Sequence, residues 1–205
     1  MKSALKIFLG FIILLLSFLL YRSIIQPIRF NRERDLRVDA AISRLMEIRK
    51  AQQAYRAIRG SYADNFDSLL LFVQIDSFEI QRITGEYNPD EMTEAEAVQA
   101  GLLQIASSRV SVMDSLFTGQ TNIGSLRYVP YAGQSEFVMD AGQVVTASRV
   151  TVRVFEVYVL YETLLQGLNR QLVTNYIRER ERIAGFPGLK IGSLTEATNN
   201  TGNWE

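Results

Sequence analysis

Enzymatic chemistry needs side chains that attack, carry a proton or ligate a metal, and this chain of 205 residues contains neither Cys nor His. Their absence removes a thiol nucleophile, a disulfide framework, a histidine general base and the Cys/His sets of structural zinc. A serine–lysine dyad would have to use Lys50 or Lys190, and no motif frames either one. The carboxylate pairs Asp64 with Asp67 and Glu94 with Glu96 read as surface or capping residues. Gly119 and Gly124 lack the spacing and the following Lys of a phosphate-binding loop. In the tail, Asn199, Asn200, Asn203 and Glu205 are oxygen donors of the kind calcium takes, but so polar a terminus reads as mobile chain. Asn199-Asn200-Thr201 fits the glycosylation pattern, and no function is assigned to it. These residues predict no enzyme, no cofactor and no metal.

The elements themselves then carry the information. At 47% hydrophobic and 21% charged, the chain can bury a core, and its length suits one globular domain with an appended segment. That segment is Ile7 to Ile25, IFLGFIILLLSFLLYRSII, about 19 residues with Arg22 the sole charge, enough helix for roughly 30 Å of hydrocarbon. Each central Leu, Ile or Phe favours insertion by about 0.3 to 0.6 kcal/mol, outweighing Gly10, Ser17 and a snorkelling Arg22. A cleaved signal peptide competes, given Lys2 and Lys6 ahead of the apolar core, but Leu20-Tyr21-Arg22-Ser23 lacks the small residues of a cleavage site. Lys2 and Lys6 precede the span while Arg22, Arg29, Arg32, Arg34 and Arg37 follow it, a count that places the C-terminal flank inside the cell.

Net charge is zero, yet residues 1 to 60 hold 12 Lys/Arg against 4 Asp/Glu and the remainder 10 against 18. A basic stalk with an acidic head suits contact with anionic lipid, or pairing of one copy's stalk with another's head. Nucleic acid is not expected as a partner, because the positive charge flanks the hydrophobic segment instead of interleaving with aromatics in the folded domain.

Beyond Pro27, expected to kink the helix, Val38, Ala41, Ile42, Leu45, Ile48, Ala51, Tyr55 and Ile58 recur at helical spacing, with Arg37, Arg44, Glu47, Lys50 and Arg59 opposite. Gly60 ends this helix. A short strand through Phe78, Ile80 and Ile83, a turn at Asn88-Pro89-Asp90, and a helix from the Thr93/Glu96 capping box to about Ala106 follow. Strands are predicted over 110 to 117, 126 to 131, 137 to 140 and the long stretch 144 to 161, forming one antiparallel sheet. A β-bulge near Val154 and Phe155 would explain a switch in apolar parity. A last helix covers Glu162 to Ala184. The fold class is α+β: membrane anchor 1 to 30, amphipathic stalk 31 to 60 and head 61 to 205.

The run from Ala41 to Val73, AISRLMEIRKAQQAYRAIRGSYADNFDSLLLFV, resembles the start of the head in type IV pilins and type II secretion pseudopilins. Leu45, Ile48 and Ala51 lead to Tyr55, Gly60 stands five residues on, then Tyr62, then Leu69 and Leu70. Gly202-Asn203-Trp204 is similar to pseudopilin C-termini. The resemblance implies a cytoplasmic N-terminus, a head in the periplasm of a diderm bacterium, and a sheet packed on the upper stalk. Two family features lack counterparts: Gly10-Phe11, at the place of the cleavage glycine, follows Ile7-Phe8-Leu9, and position 15 is Leu instead of glutamate. The expected role is a non-enzymatic structural or interaction subunit of an envelope assembly. Its partners would be the lipid bilayer and further copies or other assembly subunits, met through Arg37, Arg44 and Lys50. A stalked sensor or ligand-binding module, and a cytoplasm-facing scaffold, are the other readings of the same residues.

Overall fold

A computed structural model describes residues 2–90, 92–117 and 122–205. Helix α1 (Lys2–Arg59) is unbroken, so anchor and stalk are one element, and its backbone stays helical through Pro27. Proline has no N–H to give, which frees the Ser23 carbonyl one turn earlier. That carbonyl lies just short of the end of the apolar stretch, where water can supply the missing donor. The helix stops where Gly60 adopts φ +75° and its N–H caps the Arg56 carbonyl at 2.8 Å.

The two halves of α1 differ in what covers them. None of its most apolar stretch is buried by the rest of the chain, and it is the one described helix long and apolar enough to cross a membrane. In the upper half, Ala41, Leu45, Ile48 and Ala51 are fully buried, a stripe one helical face wide. Against this stripe packs α2 (Phe66–Ile75), started by Asn65, whose side chain accepts the Ser68 N–H at 2.8 Å. Leu69, Phe72 and Val73 point into the seam, and Phe72 meets Tyr55 edge-on at 4.9 Å.

Instead of one antiparallel sheet there are two. In the first, β1 (Ser77–Gly85) pairs with β2 (Leu103–Ser111) from Ser77↔Ser111 to Gly85↔Leu103. The second has the order β3-β4-β5, from Val138–Val145, Thr151–Leu160 and Gly188–Gly192. Several expected boundaries move for local reasons. Helix α3 (Glu94–Gln99) does carry the Thr93/Glu96 capping box, but it ends well before Ala106 because Gly101 turns left-handed (φ +75°) and β1 claims residues 103 to 111 as a strand. The strand expected to reach Phe117 stops at Ser111, and Val112–Leu116 is the short helix α4, with Val112 buried. The strand expected over 126 to 131 is instead the end of a 3-10 turn, Ile123–Arg127, a lone bridge from Tyr128 to Glu136, and a further turn at 130 to 131. The stretch from 144 to 161 breaks into a hairpin, where the Thr146 hydroxyl meets the Val150 backbone and Arg149 takes φ +60°.

No β-bulge occurs at Val154 and Phe155; the β3–β4 register is continuous through both. Both are buried because β4 is covered on both faces, Phe155 beneath Tyr62 (ring centroids 4.7 Å) and Val154 beside the C-terminal tail. The expected last helix is divided by Gly167 (φ +82°) into α5 (Tyr161–Leu164) and α6 (Arg170–Ala184), and α6 stops at left-handed Gly185. The tail, expected to be mobile, folds back along β5: the Gly192 N–H bonds the Thr201 carbonyl, the Asn203 N–H bonds the Lys190 carbonyl, and Ile191 bridges Gly202. Asn199 and Asn200 supply the left-handed turn this return requires (φ +55° and +62°). The tail thereby covers an edge that would otherwise stand open.

The capping box yields a test. The Thr93 N–H and hydroxyl both bond the Glu96 carboxylate and hold it below its ordinary value of about 4.5. A carboxyl lowered in the folded state contributes above its unfolded value and loses that contribution as pH falls. Amide exchange in α3, corrected for intrinsic rate, is expected to accelerate on acidification below about pH 4.5 in the native chain. In Glu96→Ala, which removes the carboxylate itself, α3 is expected to exchange faster already at neutral pH, with little further change on acidification.

Candidate functional site

The seam between stalk and head holds most of the residues the sequence singled out. Leu45, Ile48, Ala51 and Leu69 are fully buried there, Tyr62 is buried, Tyr55 is half-buried at the margin, and Gly60 makes the turn that lets the chain double back. Tyr62 joins three elements: its ring lies on Phe155, and its hydroxyl accepts from Arg56 of the stalk and Asn200 of the tail, each at 2.9 Å.

One residue of the seam escaped the sequence reading. Gln52 is completely buried on the apolar stripe, and its amide makes a two-way clasp with Ala63: the side-chain NH2 donates to the Ala63 carbonyl at 2.8 Å, and the side-chain oxygen accepts the Ala63 N–H at 2.9 Å. The clasp satisfies both backbone groups of a residue that would otherwise be orphaned in the core. A polar residue on an apolar face, at the spacing Ala41, Leu45, Ile48, Gln52, Tyr55, was the available signal.

The arginines of the stalk, read as a face for partners, largely serve the chain itself. Arg37 bonds Glu33 at 3.0 Å and the Gln166 carbonyl at 2.9 Å. Arg44 donates to the Ser125 carbonyl and hydroxyl, and Arg49 reaches Glu205 at 2.8 Å. Arg59 pairs with Asp76 at 2.7 Å. Lys50 is exposed and, among the described residues, has no side-chain hydrogen bond or ion pair. The tail donors considered for calcium are used in the same way: Asn200 holds Tyr62, Glu205 holds Arg49, and Asn203 takes the Lys190 N–H and gives to the Gly188 carbonyl. Of the glycines weighed against a phosphate loop, Gly119 lies outside the described residues. Among the described residues no three acidic or metal-binding side chains come together.

At the base of the head, α6 is fastened to α1 by a stack. The Arg34 guanidinium lies over Tyr176 at 4.9 Å, Arg180 flanks the same ring at 5.5 Å, and Tyr161 meets it edge-on at 5.0 Å. Burial, and then the neighbouring Tyr176, push the Tyr161 phenol above the ordinary tyrosine range. Below this stack, where α1 leaves the head, the loop through Gly167, Leu168 and Asn169 overhangs the helix. The cleft it forms has a volume of about 580 Å³ and runs down α1 from Glu33 to Phe18.

No protein-family model matches the chain, and no curated protein or solved structure is similar to it. Fold and seam define the class by themselves: a membrane-linked α+β protein in which one helix is both the apolar segment and the spine of the head.

Proposed function

We propose that this chain is a non-enzymatic, pilin-like structural subunit of a cell-envelope assembly, anchored in a bacterial inner membrane with its head in the periplasm. The observation that carries the reading is the division of labour along α1: its lower half is bare and apolar, while its upper half forms one wall of the head's core. A head built on such a spine moves rigidly with its anchor, so lateral packing of anchors sets the position of every head. The β1–β2 ribbon supports the same reading. Among the described residues it pairs with no other strand, and it exposes the cross-strand pair Ile83 and Ile105, 53% and 40% accessible. Open edges and an exposed apolar pair suit contact with a neighbouring subunit, and a head-to-stalk contact between copies would propagate.

The test is chemical crosslinking of the full chain in its own membranes. Lys50, exposed on the stalk, and the exposed Glu79 carboxylate of the ribbon are the attachment points, joined by a carbodiimide, with an amine-to-amine reagent joining Lys50 to Lys50 of a neighbouring copy. A ladder of multiples or a discrete heavier partner is the expected result. Recovery of monomer alone, at crosslinker levels that saturate Lys50, would reject assembly.

A further inference from the structure

The cleft beneath the head combines two kinds of wall. Going up one face of α1, Phe18 and Tyr21 line its lower end and Arg22, Ile25, Gln26 and Arg29 follow above them, with Leu168 overhanging. Arg22 and Arg29 are exposed and, among the described residues, make no ion pair or side-chain hydrogen bond; Arg32 is likewise unpaired but does not line the cleft, and Arg34 and Arg37 are paired with Asp35 and Glu33. Glu33 also lines the cleft, and its charge is met by Arg37. Seven residues of helix separate Arg22 from Arg29, about 10 Å of rise, while the headgroup layer on each side of a bilayer is roughly 5 to 7 Å deep. With the apolar segment in hydrocarbon, the two guanidinium groups therefore bracket that layer, and the Tyr21 and Phe18 wall below Arg22 descends into the acyl region. The roof is held in place: Arg37 bonds the Gln166 carbonyl and Asn169 caps α6 through the Leu172 N–H.

We propose that this cleft is a binding site for one anionic phospholipid. Arg22 and Arg29 take the phosphate and the headgroup charge, the glycerol backbone lies against Ile25 between them, and the first acyl carbons lie along Tyr21 and Phe18. Arginine suits the role, since its planar fork of donors matches phosphate oxygens. The inference goes beyond assembly and stands whether or not the chain oligomerises. It also holds on either side of a membrane, because it concerns the leaflet facing the head.

The test is native mass spectrometry of the full chain in detergent, titrated with phosphatidylglycerol or phosphatidylcholine of matched chains. At about fivefold for each arginine at a membrane surface, one retained phosphatidylglycerol is expected to be favoured about 25-fold over phosphatidylcholine. R22Q/R29Q is expected to bring the two lipids to parity. R22Q and R29Q singly are each expected to cut the preference about fivefold, whereas R32Q, which removes one charge outside the cleft, is expected to keep most of it. Equal retention of the two lipids by the native chain would overturn the proposal, as would loss in R32Q as large as in the single cleft variants, which would mark diffuse attraction. Inorganic phosphate is expected not to displace the lipid, having nothing to cover the apolar wall; displacement by it would overturn the assignment to a lipid. The melting temperatures of the variants are expected to match the native one, because neither side chain has an internal partner to lose.

Discussion

Gln52→Leu is expected to destabilise the head by about 3 kcal/mol, although the substitution keeps the side chain's approximate size and removes a polar group from the core. The native amide satisfies both the N–H and the carbonyl of Ala63, at 2.9 and 2.8 Å, inside the core. Leucine leaves both unpaired, and a buried backbone group without a partner costs roughly 1 to 3 kcal/mol. For a chain of this size that corresponds to a fall of about 6 to 12 °C in melting temperature. Gln52→Glu separates this cause from a packing defect. A protonated carboxyl offers one donor and one acceptor, as the amide does; a carboxylate offers acceptors alone and faces the Ala63 carbonyl. Burial raises the folded pKa of the introduced acid above its unfolded value of about 4.3. A raised folded value means stability that is present below about pH 4 and lost as pH climbs. Gln52→Glu should therefore lie near the native protein at pH 4 and at least as low as Gln52→Leu at pH 7, each compared with the native chain at the same pH. Thermal unfolding and exchange of the Ala63 amide measure both effects. A cost below about 1 kcal/mol in Gln52→Leu would remove the clasp from the account of the seam.

What the sequence displayed and what it hid follow from how each element is held. The stalk stripe was legible because a helix covered on one side shows its burial as spacing, and Gly60 was legible because few residues other than glycine turn left-handed so cheaply. Strand β5 was not, since Gly188, Leu189, Lys190, Ile191 and Gly192 show no pattern of their own and become a strand by pairing with β4. The parity switch at Val154 and Phe155 was real but misleading, because alternation reports faces correctly only where one of them meets solvent. Arg37 and Arg44 looked like a solvated face because their partners are largely backbone carbonyls, which no residue letter reveals. The tail hid for the same reason, being held by main-chain pairing and by asparagines that compositional reasoning assigns to loose chain. Among the described residues Arg22, Arg29 and Arg32 of α1 have no such partner, and Arg22 and Arg29 are the two of them that line the cleft.

Arginine at both Leu14 and Leu15 is expected to release the chain from the membrane while leaving the head folded. The two positions lie mid-segment, 72% and 47% accessible, so neither touches the head. Each replacement turns a gain of about 0.3 to 0.6 kcal/mol into a cost of about 2.5 to 3.5 kcal/mol. Together the swaps cost roughly 6 to 8 kcal/mol, about the whole of what the dozen or so apolar residues of the span supply at the same rate. The protein should then leave the carbonate-resistant membrane fraction. The head should not follow it into disorder, since the buried core begins at Phe30 and the apolar stretch below contributes none of it. Its unfolding transition is expected to stay within about 1 kcal/mol of the native one, as for substitutions away from packed sites. A variant that remained carbonate-resistant would remove the anchor from the account. A variant whose head melted together with its insertion would instead mean that the lower helix supports the domain, and the division of labour along α1 would fail.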